Sequence, residues 1–123
     1  MKDQKVLMSI VELGGYPDFT PLYEQAGYRV MSFRSVRKAI QALKKETPVL
    51  VVAEFNFQSD FRDRTSSLES LLAAVERIPA CRVVVFYEKE FAHQLERLRQ
   101  QYTLHTTLAF PVDTELLKDA LHT

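Results

Sequence analysis

One short apolar run, residues 48–56, limits the folds open to this chain more than any other stretch. Its sequence is PVLVVAEFN, which is rich in β-branched valine and does not alternate with polar residues. That pattern is typical of a strand buried on both faces, as in the centre of a parallel sheet. The acid at its end, Glu54, is therefore expected at the carboxyl edge of the sheet, where such sheets bind ligands.

Four more strands and five helices are predicted around this run. Strands are expected over residues 5–11, 28–33, 81–87 and 105–110, and helices over residues 19–26, 35–45, 66–78, 88–102 and 113–121. Regular alternation of strands and helices predicts an α/β fold with a parallel sheet, helices on both faces and right-handed crossovers. For five strands we expect the flavodoxin-like, doubly wound order 2-1-3-4-5.

Several residues mark the helix ends. Gly27 is placed to end the first helix, Ser35 to cap the second, and Asp113 or Thr114 to cap the last. Ser66 and Glu69 have the spacing of a capping box, and residues 56–65 are expected to form a long loop before it. The side chains expected to face the core are Leu68, Leu71, Leu72 and Val75 on the third helix, Phe91, Leu95, Leu98 and Tyr102 on the fourth, and Leu116, Leu117, Ala120 and Leu121 on the last.

The predicted strand order brings four strand ends around one crevice. The residues at the ends of strands one, three, four and five are Glu12, Glu54, Tyr87 and Phe110. Two acids and two aromatic rings are thus expected to share the carboxyl edge of the sheet.

Over essentially its whole length the chain resembles the receiver domain of bacterial two-component response regulators, the CheY-like family. The resemblance is carried by the turn at Ala26 and Gly27, by residues 48–54, and by residues 110–113 before the last helix. It implies a signalling function and a single receiver-like domain over residues 1–123.

The framework matches this family, but the strand ends differ from it. The family has its phosphate-accepting aspartate where this chain has Glu54, and a pair of Mg²⁺-binding acids where only Glu12 is available. It has Thr or Ser at the position of Tyr87, and Lys before a cis proline where Phe110 precedes Pro111.

These differences remove what phosphoryl transfer requires. The reaction needs an in-line nucleophile, a liganded Mg²⁺ and a cation on the phosphate. Glu54 is one methylene longer than aspartate, Glu12 alone leaves Mg²⁺ under-liganded, and Phe110 carries no charge. We therefore expect a pseudo-receiver that works independently of phosphorylation, with no catalytic residue, cofactor or metal, in which Glu12, Glu54, Tyr87 and Phe110 mark a vestigial pocket.

Glu54 has two interpretations at this stage. It either mimics the charged, phosphorylated state permanently, or it is a solvated acid left at the strand end after the chemistry was lost. Lys89, two residues past Tyr87, is a candidate cation for the first interpretation, although a surface lysine is the ordinary alternative.

Two other functional classes stay open. A small-ligand sensor of the same fold would use an aromatic crevice formed by Tyr87 and Phe110 with Phe55 and Phe57 nearby. An enzyme would need a pair of reacting groups, for which Glu12 with Glu54 is the only candidate.

Composition and charge restrict the partners. The 16 basic and 16 acidic residues cancel, so the domain has no overall attraction for nucleic acid or an anionic membrane. One cysteine, Cys81, and the lack of any apolar run long enough to span a bilayer favour a cytoplasmic protein. By resemblance, a protein partner or a second copy is expected to bind at helix 4, strand 5 and helix 5.

Overall fold

Residues 5–11, 17–55 and 67–122 are described by the computed structural model. Within them lie the strands β1 (Lys5–Ile10), β2 (Tyr28–Phe33), β3 (Leu50–Glu54), β4 (Arg82–Tyr87) and β5 (Thr106–Ala109). All neighbouring strands pair in parallel, in the order β2-β1-β3-β4-β5. The predicted flavodoxin-like, doubly wound sheet is therefore confirmed.

Five α-helices lie in the described residues, of which four connect the strands and the fifth follows β5. They are α1 (Thr20–Gln25), α2 (Val36–Leu43), α3 (Ser67–Val75), α4 (Ala92–Gln101) and α5 (Thr114–Leu121). The helices α2, α3 and α4 pack on one face of the sheet, whereas α1 and α5 pack on the other. Two hydrophobic cores result, one on each face.

β3 is the most deeply buried strand because both of its faces are covered. All five of its residues are buried, and Leu50, Val51 and Val52 have no exposed surface. Alternate side chains enter opposite cores, with Val51 under α2 to α4 and Val52 under α1 and α5. Each such side chain contributes about 1.5–3 kcal/mol to folding relative to an exposed one.

The predicted end signals at Gly27, Ser35 and Asp113 are confirmed. The Ser35 hydroxyl accepts a hydrogen bond from the Lys38 N–H at 3.3 Å. The Asp113 carboxylate accepts from the Glu115 N–H at 2.8 Å, and Gly27 ends α1 with a φ of 99°. The Ser66 cap and the loop over residues 56–65 lie outside the described residues.

Two details of the predicted helices are wrong. Leu116 is 52% exposed, because it lies in the first turn of α5, beside the stripe of Leu117, Ala120 and Leu121 that faces the sheet. The fourth helix does not begin at Glu88. A short 3₁₀ turn, Lys89–Phe91, precedes α4.

A polar clamp, formed by Tyr28 and Arg82, fixes the end of α5 to the amino edge of the sheet. The Tyr28 hydroxyl donates to the Leu121 carbonyl at 2.6 Å. The Arg82 guanidinium donates to the Ala120 carbonyl at 2.9 Å and to the Tyr28 hydroxyl at 3.2 Å. The last carbonyls of a helix have no partners within it, and a cation there complements the helix dipole.

The clamp predicts coupled effects on stability. Tyr28→Phe removes a hydroxyl that serves both Leu121 and Arg82, so we expect the free energy of unfolding to fall by about 1–3 kcal/mol in urea titrations. Arg82→Met is expected to destabilise as well, and the double variant by less than the sum, with a coupling of at least ~0.5 kcal/mol. Arg97→Met on the exposed side of α4 is the control and is expected to change stability by less than ~0.5 kcal/mol. Additive effects of the two clamp variants would contradict a shared network.

Candidate functional site at the carboxyl edge of the sheet

Three of the four strand-end residues predicted to share a crevice lie on adjacent strands. Glu54 ends β3 opposite Phe86, and Tyr87 ends β4 opposite Ala109. The N–H of Phe110 donates to the Tyr87 carbonyl at 2.7 Å, which holds the ends of β4 and β5 together. The fourth residue, Glu12, lies outside the described residues.

Glu54 is the only charged residue that is buried in the described parts of the chain, with 8% of its surface exposed. It ends β3, and the four preceding residues of that strand are also buried. The interpretation of Glu54 as a solvated strand-end acid is therefore wrong. A carboxylate in such a place is tolerated only with polar or charged partners, because desolvation penalises its charged form.

The surroundings of Glu54 are aromatic on the α1 and α5 side of the sheet. By strand alternation, Glu54 faces the same side as Val52, and its partner Phe86 belongs to the core on that side. The ring of Phe19 packs edge-on against Phe86, with centroids 5.7 Å apart and planes at 72°. The crevice beside the acid is thus partly filled by apolar rings.

The three described aromatic residues of the predicted crevice, Tyr87, Phe110 and Phe55, differ in their burial. Tyr87 is half-buried and packs with Phe55 in the core under α2, α3 and α4, where Phe55 is only 4% exposed. Phe110 lies at the surface, with 37% of its area exposed, and its peptide bond to Pro111 is cis. Phe57 lies outside the described residues.

Lys89 does not supply a cation to Glu54. Its side chain is exposed, and neither ion pair found within the described ranges includes it. The ordinary interpretation of Lys89, a solvated surface lysine, agrees with this placement.

Metal-ligating side chains do not cluster in the described residues. No three His, Cys, Asp or Glu side chains lie close enough there to hold an ion. The imidazole of His105 has another use, since its Nδ1 accepts the Val83 N–H at 3.0 Å, where β4 begins to pair with β5.

Cys81 lines a cavity of about 210 Å³ at the opposite, amino edge of the sheet, together with His105. Burial raises the pKa of the Cys81 thiol to about 11, against a smaller opposing effect of Arg82. A thiol in that state is a poor nucleophile at neutral pH, since the thiolate is the reactive form.

A second cavity, of about 270 Å³, lies at the carboxyl edge beside β1 and β2. Ser9, Ser32, Arg34 and Asp18 line it, and neither Tyr87 nor Phe110 takes part. Sequence reasoning missed this site. The sequence does contain a signal for it. Ser9 and Ser32 are paired near the ends of β1 and β2, where the pattern of a buried strand predicts apolar side chains.

Comparison with solved structures identifies the fold as that of receiver domains. A response regulator receiver domain from Clostridium thermocellum superposes with a TM-score of 0.72 at 12% identity, over 94% of this chain and 90% of that one. A response regulator from Burkholderia multivorans gives 0.69 at 18%, over 96% and 92%. A sensor protein from Polaromonas sp. JS666 gives 0.68 at 22%, over 95% and 93%.

Sequence comparison gives no assignment, since no protein-family model and no curated protein matches the chain. The helices of the described residues include none that is long and apolar enough to cross a bilayer.

The buried thiol predicts a distinctive pH dependence of alkylation. With a pKa near 11 in place of the ordinary value of about 9, native Cys81 has roughly 100-fold less thiolate at pH 8 than an unperturbed thiol. Its rate with iodoacetamide, followed by mass, is expected to keep rising about tenfold per pH unit beyond pH 9. The urea-unfolded chain is the control and levels off near pH 9. A native rate that also levels off there would contradict the buried state.

Proposed function

We propose that this chain is a degenerate receiver-like signalling domain that acts through protein contacts and without phosphorylation of an aspartate. One observation carries the proposal. The receiver fold is kept over 94% of the chain in the comparison with the Clostridium thermocellum domain, while the acceptor position holds the buried Glu54. Tyr87 and Phe110 replace the polar groups that the family resemblance places at the neighbouring strand ends.

The physical argument concerns access and charge. An in-line nucleophile must meet the phosphodonor with Mg²⁺ and a cation in place. Glu54 has 8% of its surface exposed and Phe86 and Phe19 pack beside its strand end, which leaves little room for a donor. Phe110 brings no charge, and a displacement of the carboxylate by one methylene can alone cost about 10²-fold in rate.

Glu54 then has a structural role with a signalling consequence. The carboxylate of Glu54 places a permanent charge at the acceptor position. The ends of the strands therefore stay in one conformation whether or not a phosphodonor is present. In this proposal the mimic interpretation is retained without Lys89, whose side chain is exposed.

The contact surface is proposed at α4, β5 and α5. Phe110 and Leu116 are large apolar residues that are 37% and 52% exposed, and they lie six positions apart, after β5 and in the first turn of α5. Apolar side chains of this size at the surface are typical of interaction sites when they lie together. A second copy of the chain or another protein is the proposed partner.

Other partners are less well supported. The equal numbers of basic and acidic residues provide no general attraction for nucleic acid or membrane, and Arg29 pairs with Glu46. We propose a cytoplasmic protein of the two-component signalling type, which is not an enzyme. For the ligand-sensor alternative, Phe55 is buried in the core, so Tyr87 and Phe110 are the described aromatic residues that would line the crevice.

The first test is incubation with acetyl phosphate and Mg²⁺, read by intact mass. We expect no phosphoryl adduct on the wild-type protein, because Glu54 is buried and Phe110 brings no charge to hold a phosphate. Glu54→Asp is the matched variant, and it is also expected to stay unmodified, since shortening the side chain restores neither the metal site nor the charge at Phe110. An adduct on wild-type Glu54 would overturn the proposal, and one on Glu54→Asp alone would locate the block in side-chain length.

The second test concerns the contact surface. Leu116→Asp and Phe110→Ser are expected to weaken self-association, or capture of a partner, by about tenfold or more, since central apolar contacts carry most binding energy. Sedimentation over a range of protein concentrations measures self-association. Val49→Asp is the control, because Val49 is 36% exposed but precedes β3 at the opposite edge of the sheet. Equal effects of Val49→Asp and Leu116→Asp would contradict this placement.

A further inference from the structure

The cavity beside β1 and β2 has the features of a binding site. It lies at the carboxyl ends of two parallel strands, where sheets of this class place their ligands. Its volume of about 270 Å³ is just below the range of drug-sized pockets, so it suits a small metabolite. Its lining residues belong to β1, β2 and the segment that begins α1, away from Glu54, Tyr87 and Phe110.

The face of β1 and β2 changes from apolar to polar as the strands approach the cavity. Leu7 and Val30 are paired in the β1·β2 ladder and belong to the core under α1 and α5. Two residues further, Ser9 and Ser32 are paired and line the cavity on the same face. Paired positions on neighbouring strands are about 5 Å apart, so the two hydroxyls can bond to one ligand.

Two opposite charges line the cavity without pairing to each other. Arg34, which follows β2, makes no ion pair or hydrogen bond with any described residue. Asp18, before α1, accepts the Thr20 N–H at 3.0 Å. That hydrogen bond lowers the pKa of the Asp18 carboxyl, so the group is ionised at neutral pH.

Most of the other lining residues are apolar. Val11 and Phe19 line the cavity, and the Phe19 ring is fixed by its packing against Phe86 and Tyr23. A mostly apolar wall with a few directed polar groups fixes the orientation of a small ligand. Here the charged groups are one guanidinium and one carboxylate, and Thr20 and Tyr23 line the cavity along with the two serines.

We propose that this cavity binds a small zwitterionic metabolite of the free amino-acid type, with its carboxylate on Arg34 and its ammonium on Asp18. Arginine presents a planar fork of donors that matches a carboxylate, and the ionised aspartate accepts from an ammonium. Ser9 and Ser32 contact the polar part of the ligand, and Phe19 contacts its side chain. This inference goes beyond the contact function and does not depend on it, because no residue is shared with α4, β5 or α5.

The test is calorimetric titration of the full chain with the standard free α-amino acids, each up to about 10 mM, a range that captures weak binding. At least one of them is expected to bind saturably. Arg34→Gln and Asp18→Asn are each expected to weaken that binding by about tenfold or more, as for loss of a charged hydrogen bond. Asn at position 18 keeps an oxygen to accept the Thr20 N–H, so the hydrogen bond at the start of α1 is retained. Arg37→Gln on α2 is the matched control, because Arg37 is exposed and does not line the cavity, and it is expected to leave the affinity unchanged.

Analogues of the bound amino acid assign each charge to its partner. The carboxamide, which lacks the carboxylate, is expected to bind wild type and Arg34→Gln equally. The N-acetyl form, which lacks the ammonium, is expected to bind wild type and Asp18→Asn equally. Absence of binding by every amino acid, or a loss of affinity in Arg37→Gln as large as in Arg34→Gln, would overturn the proposal. Neither result would affect the phosphodonor and self-association experiments.

Discussion

Leu50, Val51 and Val52 lie at the centre of the sheet with no exposed surface, and the neighbouring elements are placed by the need to cover them. A strand that is apolar on both faces must have helices on both sides, which requires parallel strands joined by crossovers. The same constraint carries Glu54 to the carboxyl edge and buries it there. The position of Glu54 thus follows from the packing of the core, whereas its chemistry depends on the side chains at the ends of the neighbouring strands.

Fold and chemistry are separable in this molecule. The fully buried centre of β3 and the polar clamp at the end of α5 lie away from the carboxyl edge. Tyr87 and Phe110 therefore occupy the ends of β4 and β5 without loss of the framework. In the proposed function, such a domain keeps the surfaces of a signalling module without a response to phosphodonors. The cavity beside β1 and β2 is where we propose a different input, a small zwitterionic ligand.

Much of the architecture follows from local sequence signals. The unalternating valines of β3 predict its burial, and Ser35, Asp113 and Gly27 mark helix ends through hydrogen bonding and a positive φ. Features that depend on tertiary placement were not predictable. Leu116 has the right spacing for the core, yet it is exposed because it lies beside the stripe of Leu117, Ala120 and Leu121 that faces the sheet.

Burial of Glu54, the clamp and the serine-lined cavity also escaped prediction. Each arises from residues far apart in sequence, as when the Tyr28 hydroxyl donates to the Leu121 carbonyl.

The measurement that tests the central claim most directly is the amide NMR spectrum of the labelled protein, with and without Mg²⁺ and acetyl phosphate. A strand-end site that cannot respond predicts unchanged resonances for Glu54, Tyr87 and Phe110. Shifts of these three amides on addition of both reagents would show a working receiver site and contradict the account.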